Sequence, residues 1–153
     1  MTKLVPGDRA PEFSLPDDRG QRVSLGELRA RGPVVLYFYP KDHTLGCTVE
    51  ACTFRDRFES FEGLDATVVG VSEDGETSHR EFRSKHGLPF VLLSDPGGAV
   101  AHAYGVKKVL GLLPGRVTFV IDREGIVRGS FESALRVREH VERALGLVQG
   151  LPR

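Results

Sequence analysis

The sequence predicts an α/β fold with a mixed central sheet, helices on both of its faces and an N-terminal β-hairpin. Three observations carry this. Short apolar, β-branched runs alternate with helix-period stretches, the pattern of parallel strands joined by right-handed crossovers. Late in the chain a turn, Asp122-Arg123-Glu124-Gly125, joins two strand-like runs directly and adds antiparallel strands. A helical stripe at Val137, Val141, Ala144, Leu145 and Val148 closes the sequence.

The elements follow in order. Glu12 to Leu15 and Arg22 to Leu25 alternate around Pro16-Asp17-Asp18-Arg19-Gly20, which reads as a hairpin with a longer loop. Ser24 to Leu28 starts a short helix. Val34 to Tyr39 is a continuous apolar run, a buried strand ended by Pro40. A helix is expected from Cys47 to about Glu62, after a loop that contains Gly46. Ala66 to Ser72 is a second β-branched strand, and Glu76 to His86 a helix stopped by Gly87. Phe90 to Leu93 reads as a strand, and Gly98 to Tyr104 as a short helix closed by Gly105. Val117 to Ile121 and Ile126 to Phe131 flank the late turn. The order is β-α-β-α-β, then β-β-α.

Composition bounds the function. A length of 153 residues suits one domain, 1–153, with its own core. Lys+Arg and Asp+Glu are equal at 21 each, so no global field draws the chain to nucleic acid or an anionic membrane. No apolar run approaches the ~18 residues of a membrane span. Lys3-Leu4-Val5 before Pro6-Gly7 lacks the apolar core of a signal peptide. A cytoplasmic location is therefore expected, where a cysteine pair is more often catalytic or metal-binding than structural.

Both cysteines lie in one stretch, Pro40 to Arg57. Cys47, Ala51, Phe54, Phe58 and Phe61 fall at one helix face, so Cys47 is expected to open a helix on the side facing the core. Free N–H groups and the positive dipole end favour a thiolate there, and the thiolate is the nucleophile. Cys52 leaves that stripe. Five residues rotate the helix by about 500°, which places the two Cα atoms ~8.6 Å apart against the ~4.4–6.8 Å a disulfide allows. If the pair is a redox couple, the helix start must unwind on oxidation.

Tyr37-Phe38-Tyr39-Pro40-Lys41-Asp42, then Thr44-x-Gly46-Cys47-Thr48-x-Glu50-Ala51-Cys52-x-Phe54-Arg55-Asp56, resembles the peroxiredoxins. More narrowly it resembles their bacterioferritin-comigratory-protein, or peroxiredoxin Q, branch. Pro40, Thr44 and Cys47 match that family's Pro-x3-Thr-x2-Cys, and Cys52 matches a resolving cysteine five residues on. The likeness extends from Gly7-Asp8-Arg9-Ala10-Pro11-Glu12-Phe13 to the last helix. It implies a thioredoxin-like fold and a thiol peroxidase for hydrogen peroxide and organic hydroperoxides. Cys47 would become a sulfenic acid, resolved by Cys52 as an intramolecular disulfide. Thioredoxin or a similar dithiol would reduce it, with no metal or organic cofactor. Nothing in the stripe demands a dimer, so a monomer is expected.

Three further residues complete the expected site. The Thr44 hydroxyl can bond the sulfur or a peroxide oxygen, although a capping threonine would look the same. Pro40 would shield the sulfur and fix the loop. Arg116, before the strand at Val117, stays charged, favours a thiolate and donates to oxygen. The resemblance gives an arginine at Gly115-Arg116-x-Thr118-Phe119 this role, although Val117 stands where the family usually has serine or threonine. His43 and Leu45 replace the Asp and Pro common in this branch. A protonated His43 would stabilise a thiolate. Lys41 and Glu50 could tune the site, but a carboxylate opposes a thiolate, so Glu50 takes no catalytic role. Surface or capping roles are expected for His79, His86, His102 and His140, and turn roles for Asp65, Asp95 and Asp122.

Two other readings stand beside this one. A thiol–disulfide oxidoreductase usually carries Cys-x-x-Cys, which the four-residue gap here does not match. A zinc module would use Cys47, Cys52 and His43, with no fourth ligand at the usual spacing.

Overall fold

The computed structural model describes residues 3–109, 113–132 and 136–152. Its centre is a five-stranded sheet of β3 (Val34–Phe38), β4 (Thr67–Ser72), β5 (Leu92–Ser94), β8 (Val117–Ile121) and β9 (Val127–Glu132), in the order β5-β4-β3-β8-β9. β3, β4 and β5 run parallel, whereas β8 and β9 pair antiparallel. A separate hairpin, β1 (Ser14–Pro16) with β2 (Arg22–Ser24), precedes them. A small ribbon, β6 (Lys108–Val109) with β7 (Leu113–Pro114), lies before β8. Two-residue strands carry too little alternation to be read from sequence, and the ribbon was not expected.

Six α-helices complete the described chain: α1 (Leu25–Arg29), α2 (Leu45–Asp56), α3 (Phe58–Glu62), α4 (Glu76–His86), α5 (Ala99–Ala103) and α6 (Val137–Gln149). Ser24 caps α1 by accepting the Glu27 N–H, while Glu27 accepts from the Ser24 hydroxyl. A 3-10 turn, Pro96–Gly98, replaces the start of the helix expected from Gly98. Asp95 accepts the Val100 and Ala101 N–H groups and so caps α5, the turn role expected of it.

The helix expected from Cys47 to Glu62 is two helices. It starts at Leu45 and breaks at Arg57, whose φ of −104° and ψ of 6° leave the helical range. The break keeps the apolar phase, so Cys47, Ala51, Phe54 and Phe61 are all buried and Phe58 is half-buried. Periodicity alone does not show such a break.

Strand alternation sorts the core into two layers. Leu36, Phe38, Phe119 and Ile121 pack with Leu25, Leu28, Tyr104 and the N-terminal segment on one face. Val35, Tyr37, Tyr39 and Val120 pack with Cys47, Phe54, Phe82 and Val141 on the other. α2, α3, α4 and α6 therefore cover the face on which Cys47 lies.

Candidate active site

The site forms where β3 ends. Tyr39 extends the pairing with β4 through its N–H bond to the Val71 carbonyl, and the chain then turns through Pro40 to Thr44 into α2. β8 runs antiparallel with Phe38 opposite Val117. Arg116, one residue earlier, therefore emerges at the same end of the sheet. The Gly115 N–H bonds the Lys107 carbonyl at 2.9 Å and fixes the approach to it.

Cys47 is the third residue of α2 and 1 % exposed. Arg116 is buried, with Nη2 3.3 Å from the Cys47 Sγ and Nη1 2.6 Å from the Glu50 Oε1. One planar cation thus spans sulfur and carboxylate, a geometry a lysine cannot reproduce. Burial opposes the Arg116 charge, but Glu50 and Cys47 outweigh it and hold its pKa above the ordinary value. Gly46 makes room for the guanidinium: a Cβ there would lie 3.0 Å from Nη2.

Glu50 is the residue that sequence reasoning passed over. Sequence reasoning assigns it no catalytic role, because a carboxylate opposes a thiolate. It is fully buried, one turn beyond Cys47, and holds Arg116. Burial raises its pKa from 4.5 to about 7, against the lowering effect of Arg116. Its other oxygen, Oε2, lies 3.8 Å from the His140 Nδ1, which is 2.9 Å from the Thr118 hydroxyl. The signal available in sequence was its i+3 position from Cys47, next to the buried stripe.

The other expected residues fall as follows. Thr44 sits at the N-cap position, but its hydroxyl donates to the Lys41 carbonyl at 2.8 Å rather than capping α2. Pro40 is half-buried at the loop entrance. Cys52 is half-buried and free, as is buried Cys47. Both are helical in α2, the arrangement in which helix geometry keeps the two Cα atoms ~8.6 Å apart. His43 is exposed, with φ of 65°, and its ring packs edge-on against Phe82 at 5.1 Å.

Among the described residues Cys47, Cys52 and His43 form no metal-ligand cluster; the one cluster of that kind is Asp42, Asp74 and His79. His79 and His140 are buried, at 0 % and 2 % exposure, which corrects the surface or capping roles expected of them. Each lies on a helix face turned to the sheet, and each has a polar partner from an element remote in sequence.

A buried sulfur near a helix start, held by a guanidinium on a thioredoxin-like sheet, defines a thiol-based redox enzyme. The AhpC/TSA family pattern matches residues 6–130. A chloroplastic peroxiredoxin Q of Sedum lineare is 44 % identical over 152 residues, covering 99 % of this chain and 81 % of the relative. One of Oryza sativa subsp. japonica is 45 % identical over 97 % of this chain and 69 % of its own. Among solved structures, peroxidoxin BcpB from Mycobacterium tuberculosis superposes with a TM-score of 0.92 at 37 % identity, covering 98 % of this chain and 99 % of that one. Xanthomonas campestris peroxiredoxin Q gives 0.83 at 30 % identity, covering 96 % and 95 %. The chain belongs to the AhpC/TSA family, within its peroxiredoxin Q branch.

Proposed function

We propose that Cys47 is the peroxidatic nucleophile and Cys52 the resolving thiol. The chain is a thiol peroxidase of the atypical two-cysteine kind. The Cys47 thiolate attacks one peroxide oxygen and a sulfur–oxygen bond forms. The O–O bond breaks, and the departing oxygen takes a proton and leaves as water or an alcohol. Cys47 is then a sulfenic acid. The Cys52 sulfur attacks the Cys47 sulfur, the S–O bond breaks, water leaves and a disulfide remains. An external dithiol, thioredoxin or a similar protein, takes over that disulfide by thiol exchange.

The observation that carries this reading is the 3.3 Å contact from the Arg116 Nη2 to the Cys47 Sγ. A fixed cation there stabilises negative sulfur and offers a donor to the oxygen that departs. Pro40 screens the sulfur. Thr44, released from the Lys41 carbonyl, turns its hydroxyl to the bound peroxide. Hydrogen peroxide and organic hydroperoxides are the substrates. We further propose a monomer of one domain, working in the cytoplasm. No helix among the described residues is long and apolar enough to cross a membrane.

One equivalent of hydrogen peroxide, mixed with reduced protein in a stopped-flow instrument, tests the assignment. Wild type should lose two thiols rapidly. Cys52→Ser should lose one and leave a sulfenate that a dimedone-type probe traps. Thiols that persist at the slow rate of an ordinary cysteine would sink the proposal.

A further inference from the structure

Asp42 stands in the turn between β3 and α2, five positions before Cys47, and is 2 % exposed. Its carboxylate collects three partners. Oδ1 accepts from the Tyr39 hydroxyl at 2.5 Å, and Oδ2 accepts from the Ser78 hydroxyl at 2.8 Å and faces the His79 Nδ1 at 2.7 Å. Its backbone N–H donates to the Asp74 Oδ2 at 2.9 Å, which also accepts from the Ser72 hydroxyl at 2.6 Å. His79, on α4, is fully buried, and its Nε2 lies 3.0 Å from the Leu93 carbonyl of β5. A carbonyl oxygen only accepts, so Nε2 carries a hydrogen. Nδ1 faces the Asp42 carboxyl, which also accepts from two hydroxyls, and the two side chains form a fully buried hydrogen-bonded pair. Burial would raise the Asp42 pKa, but His79, Tyr39 and Ser78 together hold it below the ordinary value.

The end of β4, α4 and β5 thus grip one residue of the loop that leads to Cys47. His43, the next residue, is held at φ of 65°, a left-handed conformation that a non-glycine residue avoids. With Asp42 fixed, only residues 43–46 separate the anchor from the sulfur that has to leave α2. An apolar anchor would expose its surface to water when the loop opens. A buried polar pair regains hydration instead, so it holds when closed and gives way once water enters.

We propose that the Asp42–His79 pair is a latch on the catalytic loop that sets how fast Cys47 leaves its pocket to meet Cys52. Asp42 and His79 are positioning residues for the resolving step, and they touch neither peroxide nor the reacting sulfurs. This inference rests on the two-cysteine reading above. A closed latch prolongs the sulfenic acid and so favours its further oxidation to sulfinate by excess peroxide. An open latch favours the disulfide.

His79→Gln, which removes the imidazole from Asp42, is the test, with Ser78→Ala as a milder change that takes one hydrogen bond from Asp42 and spares the pair. For each variant two rates are measured: sulfenate formation in the Cys52→Ser background, and disulfide closure with Cys52 present. The ratio of closure to formation should rise at least tenfold in His79→Gln and about two- to fivefold in Ser78→Ala. The yield of sulfinate at excess peroxide should fall, and amide exchange over residues 41–48 should quicken in the reduced protein. An unchanged ratio in both variants, with unchanged exchange, overturns the latch. If His79→Gln does not fold, the ratio and exchange in Ser78→Ala decide alone. Absence of a sulfenate in every background would instead overturn the peroxidatic assignment of Cys47, so the two failures are distinct.

Discussion

Arg116 serves two partners at once, and a substitution at this position separates charge from shape. Arg116→Lys keeps the cation but offers one nitrogen where the guanidinium offers Nη2 to Cys47 and Nη1 to Glu50. Loss of one charge-assisted bond, about 1.5–3 kcal/mol, should slow sulfenate formation roughly 10- to 150-fold, read by stopped-flow thiol loss. Glu50 gives a pH signature. Its carboxyl has a pKa of about 7 when folded against 4.5 ordinarily. A raised pKa favours folding fully below pH 4.5, and that contribution is lost as pH rises through 7. It corresponds to about 3 kcal/mol. Wild type should therefore lose stability between pH 4.5 and 7.5, and Glu50→Gln, which never ionises, should flatten the profile. Urea unfolding at a series of pH values reads this; parallel profiles would contradict the burial of an ionisable Glu50. Sequence supplied Cys47, Cys52, Arg116, Thr44 and Pro40 as candidates, because local spacing and a family pattern mark them. It did not supply the pairs Glu50–Arg116 and Asp42–His79, whose members lie 66 and 37 residues apart. A charged residue at a buried helix position looks like any solvated charge until its partner is in place.

The element that matters most is α2, and Gly46 shows how its start is built. Glycine within a helix costs about 1 kcal/mol relative to alanine, so its presence there asks for a reason. The reason is the guanidinium, which would meet a Cβ at 3.0 Å. Gly46→Ala should slow the peroxide reaction by about tenfold as Arg116 is pushed off the sulfur, and should lower stability, because the lost buried contact outweighs the ~1 kcal/mol gained in helix propensity. Paired measurements of the urea midpoint and the thiol-loss rate read the two effects, and a rate equal to wild type would show that Arg116 has room to shift. The helix was legible in its stripe of Cys47, Ala51, Phe54 and Phe61 because burial of that face and a 3.6-residue period are one fact. Its break at Arg57 was not. Phe58 continues the phase, and Arg57 pairs with Glu142 on α6, a contact no local signal announces. The strands β3, β4 and β8 were legible for the opposite reason: continuous β-branched runs have no exposed face and so belong inside a sheet. The ribbon β6–β7 has no such run.

On the scale of the whole molecule the proposed reaction sets two stabilities against each other. A disulfide between Cys47 and Cys52 closes a loop of about six residues, which by loop entropy stabilises the fold by about 2 kcal/mol. Reaching it takes Cys47 out of the layer it shares with Tyr37 and Phe54, whose rings stack at 4.6 Å, and away from Arg116. Removing one partner from a buried charged contact costs about 3–5 kcal/mol, and exposing the cysteine side chain adds about 1 kcal/mol. Retention of Glu50 beside Arg116 reduces the first figure to its lower end. The cost exceeds the gain by about 2 kcal/mol, so this disulfide should destabilise the chain that carries it. For a chain of this size that is a melting temperature lower by roughly 4–8 °C in the oxidised form. Helix at the start of α2 should fall by about two turns in far-ultraviolet circular dichroism. A scanning calorimetry comparison of reduced and peroxide-treated protein, with Cys52→Ser as the control that cannot close the loop, decides it. An oxidised form that melts higher than the reduced one would show that the loop constraint outweighs the lost contacts and would overturn this ordering. The direction also suits turnover: a disulfide that strains its own fold is a better oxidant for a partner dithiol, because reducing it restores the packed helix.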